Sequence, residues 1–513
     1  MENKALILPL HIATIAALTP DDIEVDLWDE AVHGQLDEST ELEDYDLVGI
    51  TGYPVQLQRV KEIAQVFRQR GLPVAIGGAG VSAAPERYLD DFDILFLGEA
   101  ELTWPKFLAD FLAGSYHKEY RQITKPDLAL SPPPRWDSLE NQMKNYLAGA
   151  VQTTRGCPFD CEFCDVIYLF GRRSRHKPID RVLEEVVNLQ RLGMGNLFFC
   201  DDNFTGNPHY TKELLRELIP LNNSFQNPLR FSTQLDISVA KDDELLQLLA
   251  DANFSNFFIG IESPNIESLK ETGKLQNVKS DLIADCKKVM SYGMYIVAAM
   301  IVGFDHDTPE IFDQQFEFIQ ETYMPAVRIN ILKAPHGIRL WHRLLKEGRL
   351  LNVETGLYDE EGFFGKDTRG ATNIIPKRMT RAELFSGYLN LVERVYDWDN
   401  FAERIKKFIS NVKRKPNVPQ KSELSEGLSP DLSAFLFSLD EKVQSVIFDI
   451  FFHTRKNAPF MMRKVLGSIS RQYMAAANLP LLRENILKQI QFEESVDMEQ
   501  FIFKEEVLVP ESF

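Results

Sequence analysis

Three cysteines close together in the chain carry the clearest chemical signal in this sequence. Cys157, Cys161 and Cys164 form a Cys-x3-Cys-x2-Cys loop. They supply three thiolates, one fewer than an iron–sulfur cube usually takes from protein. A four-iron cluster that is held at three corners keeps one iron open, and an open iron can chelate a small molecule. The missing fourth ligand is therefore the main indication of function.

A zinc site or a set of reduced structural thiols is the alternative interpretation of this loop. Structural zinc is usually closed by four ligands, and no fourth Cys lies near the loop, although His176 follows twelve residues after Cys164. Cys200 and Cys286 stand alone in apolar stretches, where a thiol behaves as a small hydrophobe. We therefore leave these two cysteines out of the predicted site.

The cysteine loop resembles that of the radical S-adenosylmethionine (SAM) superfamily, which has this spacing and an aromatic residue before the last Cys, as Phe163 is here. The resemblance implies a [4Fe-4S] cluster on the three cysteines, with Phe163 beside the bound SAM. It also implies that the open iron binds the amino and carboxylate groups of SAM. Reductive cleavage of the sulfonium would then give a 5'-deoxyadenosyl radical that abstracts hydrogen from an unactivated carbon.

Alternating strands and helices surround the loop and must position it. The predicted strands cover residues 148–153, 196–200, 230–234, 256–261, 295–301 and 326–332. The predicted helices between them cover residues 179–192, 209–218, 242–252, 281–292 and 310–322. Six strand and helix units match the partial (β/α)6 barrel of the superfamily. Parallel barrels carry their sites at the carboxyl ends of the strands, so we look for further site residues there.

Polar residues end the second and third of these strands. Asp202 and Asn203 follow the second strand, where the family uses polar groups to hold SAM, and by resemblance Asp202 contacts its amino group. Ser232 and Gln234 end the third strand, where the family binds the ribose or carboxylate of SAM. Turn-capping and strand-end hydrogen bonds are the alternative for all four residues.

The fourth and fifth strands also end in candidate site residues. Glu262 follows Gly260 and Ile261 at the mouth of an apolar strand, where a carboxylate is costly unless it is paired or functional. Gly303 ends the fifth strand, where the family packs backbone on the adenine of SAM, with plain core packing as the alternative. Asp202 and Glu262 are our candidates for catalytic residues.

The amino-terminal region shows a second alternation of strands and helices. Strands are predicted at 24–27, 47–51, 73–76 and 94–97. This pattern predicts a parallel sheet that is covered on both faces. Open parallel sheets bind ligands at the carboxyl ends of their strands, so the sequence predicts a Rossmann-like ligand domain.

This layout is similar to the cobalamin-binding domain that precedes the radical SAM core in one large subgroup. The resemblance places Thr51 near the position where the family has a hydroxyl side chain. It also makes Gly77 and Gly78 the family's glycine pair, which lets the backbone approach the nucleotide tail of the cofactor. Gly52 and Gln56 lie in the loop that follows Thr51. We therefore expect these five residues to bind cobalamin. A domain that binds nothing, or only organises the barrel, is the alternative.

The match departs from the cobalamin-binding pattern in two places. No Asp-x-His-x-x-Gly motif is present, because Asp29 to His33 and Gly34 have the wrong spacing. The usual histidine for the lower face of cobalt is thus missing, as it is in many related enzymes. The expected first strand and loop are also compressed into residues 4–9.

The region after the barrel resembles the helical extension of the hopanoid-methylase-like subgroup at residues 372–377 and 379–412. Helical periodicity recurs from Phe435 to Ile450, and 415–430 reads as a polar linker. The predicted domains are a cobalamin-binding-type domain (1–115), a Pro-rich linker (116–147), the radical SAM barrel (148–345) and a helical extension (346–513).

Composition limits the location and the partners. The chain of 513 residues has 76 acidic and 56 basic side chains and a net charge of -20, which argues against nucleic acid as a partner. No apolar run reaches the roughly eighteen residues of a membrane span, although an apolar helical stripe in the tail would permit peripheral membrane contact. Five cysteines fit a reducing compartment, so we expect a cytoplasmic protein.

One strongly basic segment, residues 171–177, follows the cysteine loop in this acidic chain. It would steer a reductant such as flavodoxin or ferredoxin, or an anionic substrate, toward the cluster. A solvated surface is the alternative explanation of this charge run.

These features together favour a cobalamin-dependent radical SAM enzyme that methylates an unactivated carbon of a small molecule. By resemblance, the substrate is a lipid, a porphyrin or a natural-product intermediate. A cobalamin-independent radical SAM cyclase or oxidoreductase is the alternative within enzymes. A non-catalytic iron–sulfur sensor or scaffold is the alternative outside them.

Overall fold

The computed structural model describes residues 5–40, 44–352, 370–414, 434 and 436–503. The chain folds as two compact units. The first comprises Met1–Pro158 and Asp165–Phe204, and the second comprises Phe159–Cys164 and Thr205–Phe513.

The described strands, in chain order, are β1 (Ala5–Ile7), β2 (Val48–Thr51), β3 (Val74–Gly77), β4 (Ile94–Leu97), β5 (Glu119–Arg121), β6 (Tyr146–Val151), β7 (Thr154–Arg155), β8 (Arg175–His176), β9 (Asn196–Phe199), β10 (Arg230–Leu235), β11 (Phe254–Glu262), β12 (Tyr295–Val302) and β13 (Ala326–Ile331).

The described α-helices are α1 (Leu10–Leu18), α2 (Glu30–His33), α3 (Leu57–Gln69), α4 (Ala79–Ala83), α5 (Thr103–Leu112), α6 (Val166–Leu169), α7 (Ile179–Arg191), α8 (Pro208–Ser224), α9 (Asp243–Asp251), α10 (Ile266–Glu271), α11 (Leu275–Val278), α12 (Leu282–Ser291), α13 (Ile311–Thr322), α14 (Arg339–Lys346), α15 (Arg381–Val395), α16 (Trp398–Asn411), α17 (Glu441–Asn457), α18 (Met462–Ala477) and α19 (Leu479–Ser495).

The first unit contains a parallel sheet in the order β2-β3-β4-β5. Helix α3 turns Val60, Ile63 and Phe67 toward one apolar cluster, because these residues recur at helical spacing. Trp104 and Phe107 of α5 belong to a second apolar cluster, which includes Phe96 of β4. This parallel α/β layout is the predicted Rossmann-like arrangement.

The strand predicted at 24–27 is absent, and that prediction was wrong. Ile23 packs against the cluster that contains Trp104, but residues 24–27 pair with no strand. The apolar alternation thus buries one side of an irregular segment. The fourth strand of the sheet is β5, whose Tyr120 stacks on Phe96 at 5.6 Å between ring centroids.

Strand β1 lies within the region predicted to hold a compressed first strand, but it pairs with β6 in parallel. Strand β6 in turn pairs with β9. The short antiparallel hairpin of β7 and β8 brackets the cysteine loop, with Arg155 opposite Arg175.

The second unit contains the parallel strands β10 to β13 in sequential order. Helix α9 begins after Asp242, whose carboxylate accepts a hydrogen bond from the N–H of Leu245, and it buries Leu246 and Leu249. Strands β6 and β9 to β13 and the helices that follow them correspond to the six predicted strand and helix units. The register of β11 shifts between Gly260 and Glu262, where the strand reaches the predicted site.

Helices α15 to α19 form the predicted helical tail. Arg381 and Glu493 form an ion pair there at 2.7 Å, with each side chain 5% exposed. Ile447 and Ile450 of the predicted apolar stripe are buried, whereas the polar linker predicted at 415–430 and Phe435 lie outside the described residues. None of the described helices is both long and apolar enough to cross a membrane.

Candidate functional site

The first cysteine is positioned by the β7–β8 hairpin. The N–H of Cys157 donates to the carbonyl of Gly171 at 3.2 Å. Gly156 has φ +95°, and a Cβ on it would lie 2.7 Å from the carbonyl oxygen of Arg173. Because a side chain at 156 would clash with backbone, glycine is required where the chain enters the loop.

Asp201 and Asp202, which follow β9, bind the backbone that leads into the cysteine loop. Asp201 is fully buried and accepts hydrogen bonds from the N–H groups of Thr153 and Thr154, at 2.7 and 3.1 Å, and from the Thr153 hydroxyl. Asp202 accepts one from the N–H of Gly156 at 2.7 Å. The predicted SAM contact at Asp202 therefore also positions the residue before Cys157.

Burial changes the acidity of both carboxyls. It raises the pKa of Asp201 to about 6, while the hydrogen bonds from Thr153 and Thr154 oppose the shift. It also raises the pKa of Asp202 to about 6, while the hydrogen bond from the N–H of Gly156 opposes the shift.

Asn203, the next predicted site residue, directs its side-chain amide to the Sγ of Cys157 at 4.0 Å.

The second half of the cysteine loop lies against residues 272–276, which we call the 272–276 segment. The N–H of Glu162 donates to the carbonyl of Thr272 at 2.8 Å. Gly273 has φ +71°, and a Cβ on it would lie 2.7 Å from the carbonyl oxygen of Asp160. The side-chain amide of Gln276 donates to the Sγ of Cys161 at 3.9 Å.

Glu262 forms an ion pair with Lys274 of the 272–276 segment, at 2.8 Å between Oε1 and Nζ. Both groups are largely buried, and Glu262 has φ +64°, a conformation that non-glycine residues rarely adopt. The ammonium also lies 5.9 Å from the ring centroid of Phe163. The carboxylate predicted at this strand end is thus paired, which accounts for its burial.

Opposite charges act on the lysine and on the nearby thiols. Burial opposes the charge of Lys274, but Glu262, Cys161 and Cys164 outweigh this effect and raise its pKa. Burial likewise raises the pKa of the Cys161 thiol, while Lys274 and then the Gln276 amide act in the opposite direction. The surroundings therefore favour a thiolate at Cys161 more than burial alone would.

Further contacts hold the loop from α14. The guanidinium of Arg343 contacts both carboxylate oxygens of Glu162, at 2.8 and 3.1 Å, and one of Asp305 at 2.7 Å. Arg339 donates to the backbone carbonyl of Asp160 at 2.6 Å. Bidentate pairing of this kind fixes orientation as well as distance.

Phe163 packs on Phe304, the residue after Gly303, with 5.9 Å between ring centroids. Gly303 has φ +101°, and its N–H donates to the buried carboxylate of Asp307 at 2.9 Å. Ser232 and Gln234 lie on one partly exposed face of β10. In the second unit the structure thus brings together Phe163, Gly303 and Glu262, while no described contact joins Ser232 or Gln234 to them.

The donor set, three cysteine thiols in one loop, is of the type from which proteins hold iron–sulfur clusters. Side-chain amides also reach the sulfur atoms of Cys157 and Cys161, and hydrogen bonds to sulfur are part of how such clusters are stabilised and tuned.

The predicted ligand edge of the amino-terminal sheet has small residues side by side. Thr51 and Gly77 end adjacent strands in register. Gly78 has φ +123°, and a Cβ on it would lie 3.1 Å from the hydroxyl oxygen of Thr51. Gln56 accepts a hydrogen bond from the N–H of Tyr53 at 2.9 Å, which closes the turn that follows Gly52. Gly77 and Gly78 are therefore closely packed against neighbouring protein atoms, and a side chain at either position would press on Phe96 or Thr51.

A buried charge network joins the loop after β4 to the β7–β8 hairpin. Arg155 contacts Glu99 at 2.8 Å and Glu101 at 2.5 Å, and Arg175 contacts Glu99 at 2.8 Å. Although Glu99 is buried, Arg175 and Arg155 hold its pKa below the usual range. Arg175 belongs to the predicted basic segment, so part of that positive charge is neutralised inside the protein.

His33 takes part in a local turn. Its Nδ1 lies 3.0 Å from the backbone nitrogen of Asp29 and its ring packs on Trp28 at 5.3 Å. The basic segment also contributes Lys177, which forms a buried ion pair with Glu185 at 2.6 Å. Neighbouring residues of the first unit thus hold both side chains in place.

Sequence reasoning missed Lys274, Gln276 and Glu99. Lys274 and Gln276 lie more than a hundred residues from the cysteine loop and carry no motif, so only the fold brings them there. Glu99 and Glu101 had a usable signal, since both carboxylates follow directly on a predicted strand of the amino-terminal sheet.

Comparison with known proteins identifies the family. Residues 151–319 match the radical SAM superfamily, residues 4–108 match the B12 binding domain, and residues 339–447 match a domain of unknown function (DUF4070). An uncharacterized methyltransferase of Synechocystis sp. is 33% identical, covering 78% of this chain and 73% of its own. The hopanoid C-2 methylase of Rhodopseudomonas palustris is 32% identical, covering 69% and 67%.

A solved structure supports the fold. OxsB, a cobalamin-dependent SAM radical enzyme solved with aqua-cobalamin and SAM bound, superposes with a TM-score of 0.57 at 15% identity, covering 97% of this chain and 82% of that chain. The α/β fold class is thereby confirmed, with its B12-binding domain, curled parallel half-barrel and helical carboxyl-terminal region.

The chain belongs to the radical SAM superfamily, in the subgroup that carries a B12-binding domain. It is an enzyme of the cobalamin-dependent methyltransferase class. The cofactors predicted from the sequence, a [4Fe-4S] cluster, SAM and cobalamin, are those of this family. The domain boundaries and the individual site residues stay predictions.

Proposed function

We propose that the protein uses a [4Fe-4S] cluster, SAM and cobalamin to methylate an unactivated carbon of a small, lipid-like or natural-product substrate. The observation that carries this proposal is a three-cysteine loop, fixed on both flanks by buried protein groups, in a chain that also has a B12-binding domain. When bound, the three groups supply an electron, a substrate-activating radical and a methyl carrier.

The chain's own groups define the cluster and SAM sites in this proposal. Cys157, Cys161 and Cys164 each bind one iron. Asp202 faces the SAM ammonium from the end of β9, where it already holds the loop entry through Gly156. Phe163, packed on Phe304, lies next to Cys164 and is the proposed aromatic contact of SAM.

The remaining predicted SAM contacts lie on the strands that follow. Ser232 and Gln234 present polar groups from one face of β10, and Glu262 does so at the end of β11. Gly303 offers backbone to the adenine because it carries no side chain. Asn203 completes the set next to Cys157.

On the amino-terminal sheet, Thr51, Gly77 and Gly78 form the cobalamin edge, with Gly52 and Gln56 in the adjoining turn. Substituting a larger residue at 78 would bring a side chain against Thr51. A small residue at 78 therefore keeps the Thr51 hydroxyl in its place at the proposed cobalamin edge.

The substrate class rests on the relatives. The hopanoid C-2 methylase is named for a lipid substrate, and this chain is 32% identical to it. A methyltransferase of Chlorobaculum tepidum, 22% identical over 79% of this chain, is named for bacteriochlorophyllide d. These two names are the basis of the proposed substrate class. A flavodoxin or ferredoxin would supply the electron.

The test is anaerobic purification from cells supplied with cobalamin, followed by iron, sulfide and cobalt analysis and incubation with SAM and a strong reductant. We expect about four irons and one cobalt per chain, and both 5'-deoxyadenosine and S-adenosylhomocysteine as products. The variant with Cys157, Cys161 and Cys164 all changed to Ala should lose iron and deoxyadenosine. Cys286→Ala, which alters a buried thiol outside the loop, should keep both.

Two results would contradict parts of this proposal. Four irons and deoxyadenosine without cobalt would replace methylation by a cobalamin-independent cyclase or oxidoreductase reaction. Absence of deoxyadenosine with every strong reductant would overturn the radical mechanism and favour a non-catalytic iron–sulfur protein.

A further inference from the structure

Three residues of the 272–276 segment contact residues 160–162 of the cysteine loop. Thr272 accepts from Glu162, Gly273 packs on the carbonyl of Asp160, and Gln276 reaches Cys161. Lys274 lies in the middle of this segment, so its ammonium is held beside the loop by contacts on either side of it.

We propose that Lys274 sets the reduction potential of the cluster by holding a fixed positive charge against the loop that carries Cys161 and Cys164. This inference rests on the proposed function, because it requires that the cysteines bind a [4Fe-4S] cluster. Lys274 acts as a positioning and electrostatic residue and not as a cluster ligand.

Three observations support a fixed charge at this place. The side chain of Lys274 is 12% exposed, so water screens it poorly. Its Nζ lies 5.9 Å from the ring of Phe163, the neighbour of Cys164. The pairing with Glu262 at 2.8 Å keeps the amine protonated.

The sign of the effect follows from charge. Reduction by one electron adds a negative charge to the cluster, so a nearby cation stabilises the reduced form and raises the midpoint potential. Glu262 carries the opposite charge beside the same loop, so removing it should shift the potential in the opposite direction.

The experiment is an EPR-monitored potentiometric titration of the reconstituted holoprotein without SAM, with titanium(III) citrate as the electron donor. We expect Lys274→Met to lower the equilibrium constant for reduction by about tenfold, which is about 59 mV for one electron. Glu262→Gln should raise the potential, and the double variant should lie close to wild type.

Lys270→Met is the matched control, because it removes a lysine charge four residues away whose side chain is 50% exposed. Its potential should equal that of wild type. A Lys274→Met protein with four irons and an unchanged potential would overturn the inference, even if its affinity for SAM fell. If Lys274→Met assembled no cluster, the midpoint potential of Glu262→Gln would serve as the test. An unchanged potential in Glu262→Gln would then overturn the inference.

The same titration separates this inference from the proposed function. A wild-type protein that never acquires four irons would contradict the proposed function. Wild-type and variant clusters that assemble fully and titrate together would contradict only the role of Lys274.

Discussion

The guanidinium of Arg155 lies 2.8 Å from a carboxylate oxygen of Glu99, and both side chains are buried. Glu99 follows the last residues of β4 in the amino-terminal sheet, and Arg155 belongs to β7, which leads into the cysteine loop. Because Glu99 also binds Arg175 of β8, one carboxylate anchors both strands of the hairpin that brackets Cys157.

We predict that Glu99→Gln destabilises the first unit by about 3–5 kcal/mol, since it leaves Arg155 and Arg175 buried with less compensating charge. Urea denaturation measures the free energy of unfolding, and hydrogen exchange should show faster exchange at 154–176. Glu119→Gln, which removes an exposed carboxylate paired with Arg121, should cost at most about 1 kcal/mol. Equal effects of the two substitutions would contradict the anchoring role of Glu99.

Gly78→Ala should reduce cobalamin binding, because the added Cβ would lie 3.1 Å from the Thr51 hydroxyl in a backbone with φ +123°. Cobalt per chain after anaerobic purification measures the loss, which we expect to be at least several-fold. Gly71→Ala is the control, since Gly71 has φ +80° but no atom within 4 Å of the added Cβ. That variant should lose about 1 kcal/mol of stability and retain its cobalt.

Gly273→Ala should impair assembly of the cluster. The new Cβ would lie 2.7 Å from the carbonyl oxygen of Asp160 and would force the cysteine loop away from the 272–276 segment. Iron per chain after reconstitution should fall by more than half. Gly193→Ala has a similar φ of +86° with open space around it, so it should reconstitute fully. Full iron content in both variants would show that the close approach at Gly273 is dispensable.

Asp307 makes stability depend on pH. Burial raises the pKa of Asp307 to about 7, against the hydrogen bonds from Ser268, Gly303 and Phe304. A carboxyl with a raised folded-state pKa favours folding while it is protonated, so its contribution is complete below about pH 4 and is lost as the pH rises to about 7.

Asp307→Asn should therefore flatten the fall in unfolding free energy between about pH 4 and pH 7, as measured by urea denaturation at a series of pH values. Asp313→Asn removes a largely exposed carboxylate on α13 and should leave the slope as in wild type. An unchanged slope in Asp307→Asn would mean that Asp307 is ionised throughout this range.

Much of the fold follows from local sequence pattern. The predicted strand at 94–97 has the bounds found in β4, and those at 295–301 and 326–332 end within one residue of β12 and β13. Each is a short apolar run bounded by turn residues, so the local sequence pattern was enough to predict where the strand begins and ends. The strand predicted at 24–27 failed because alternation records burial of one face and carries no information on a pairing partner.

The site divides in the same way. The sequence alone reveals Cys157, Cys161 and Cys164 as a motif, because they lie within eight residues of one another. Lys274 and Glu99 reach the loop only through the packing of distant segments, and no local pattern marks that outcome. Glu262 was identified as a costly carboxylate, but the lysine that compensates it was not predictable from position alone.

The hydrogen bonds of Asp201 tie the residues after β9 to the strand that leads into the cysteine loop. One carboxylate accepts from the N–H groups of Thr153 and Thr154 and from the Thr153 hydroxyl. A change at position 201 would therefore release two consecutive residues at the start of β7 and loosen the backbone that leads to Cys157 without altering any cysteine.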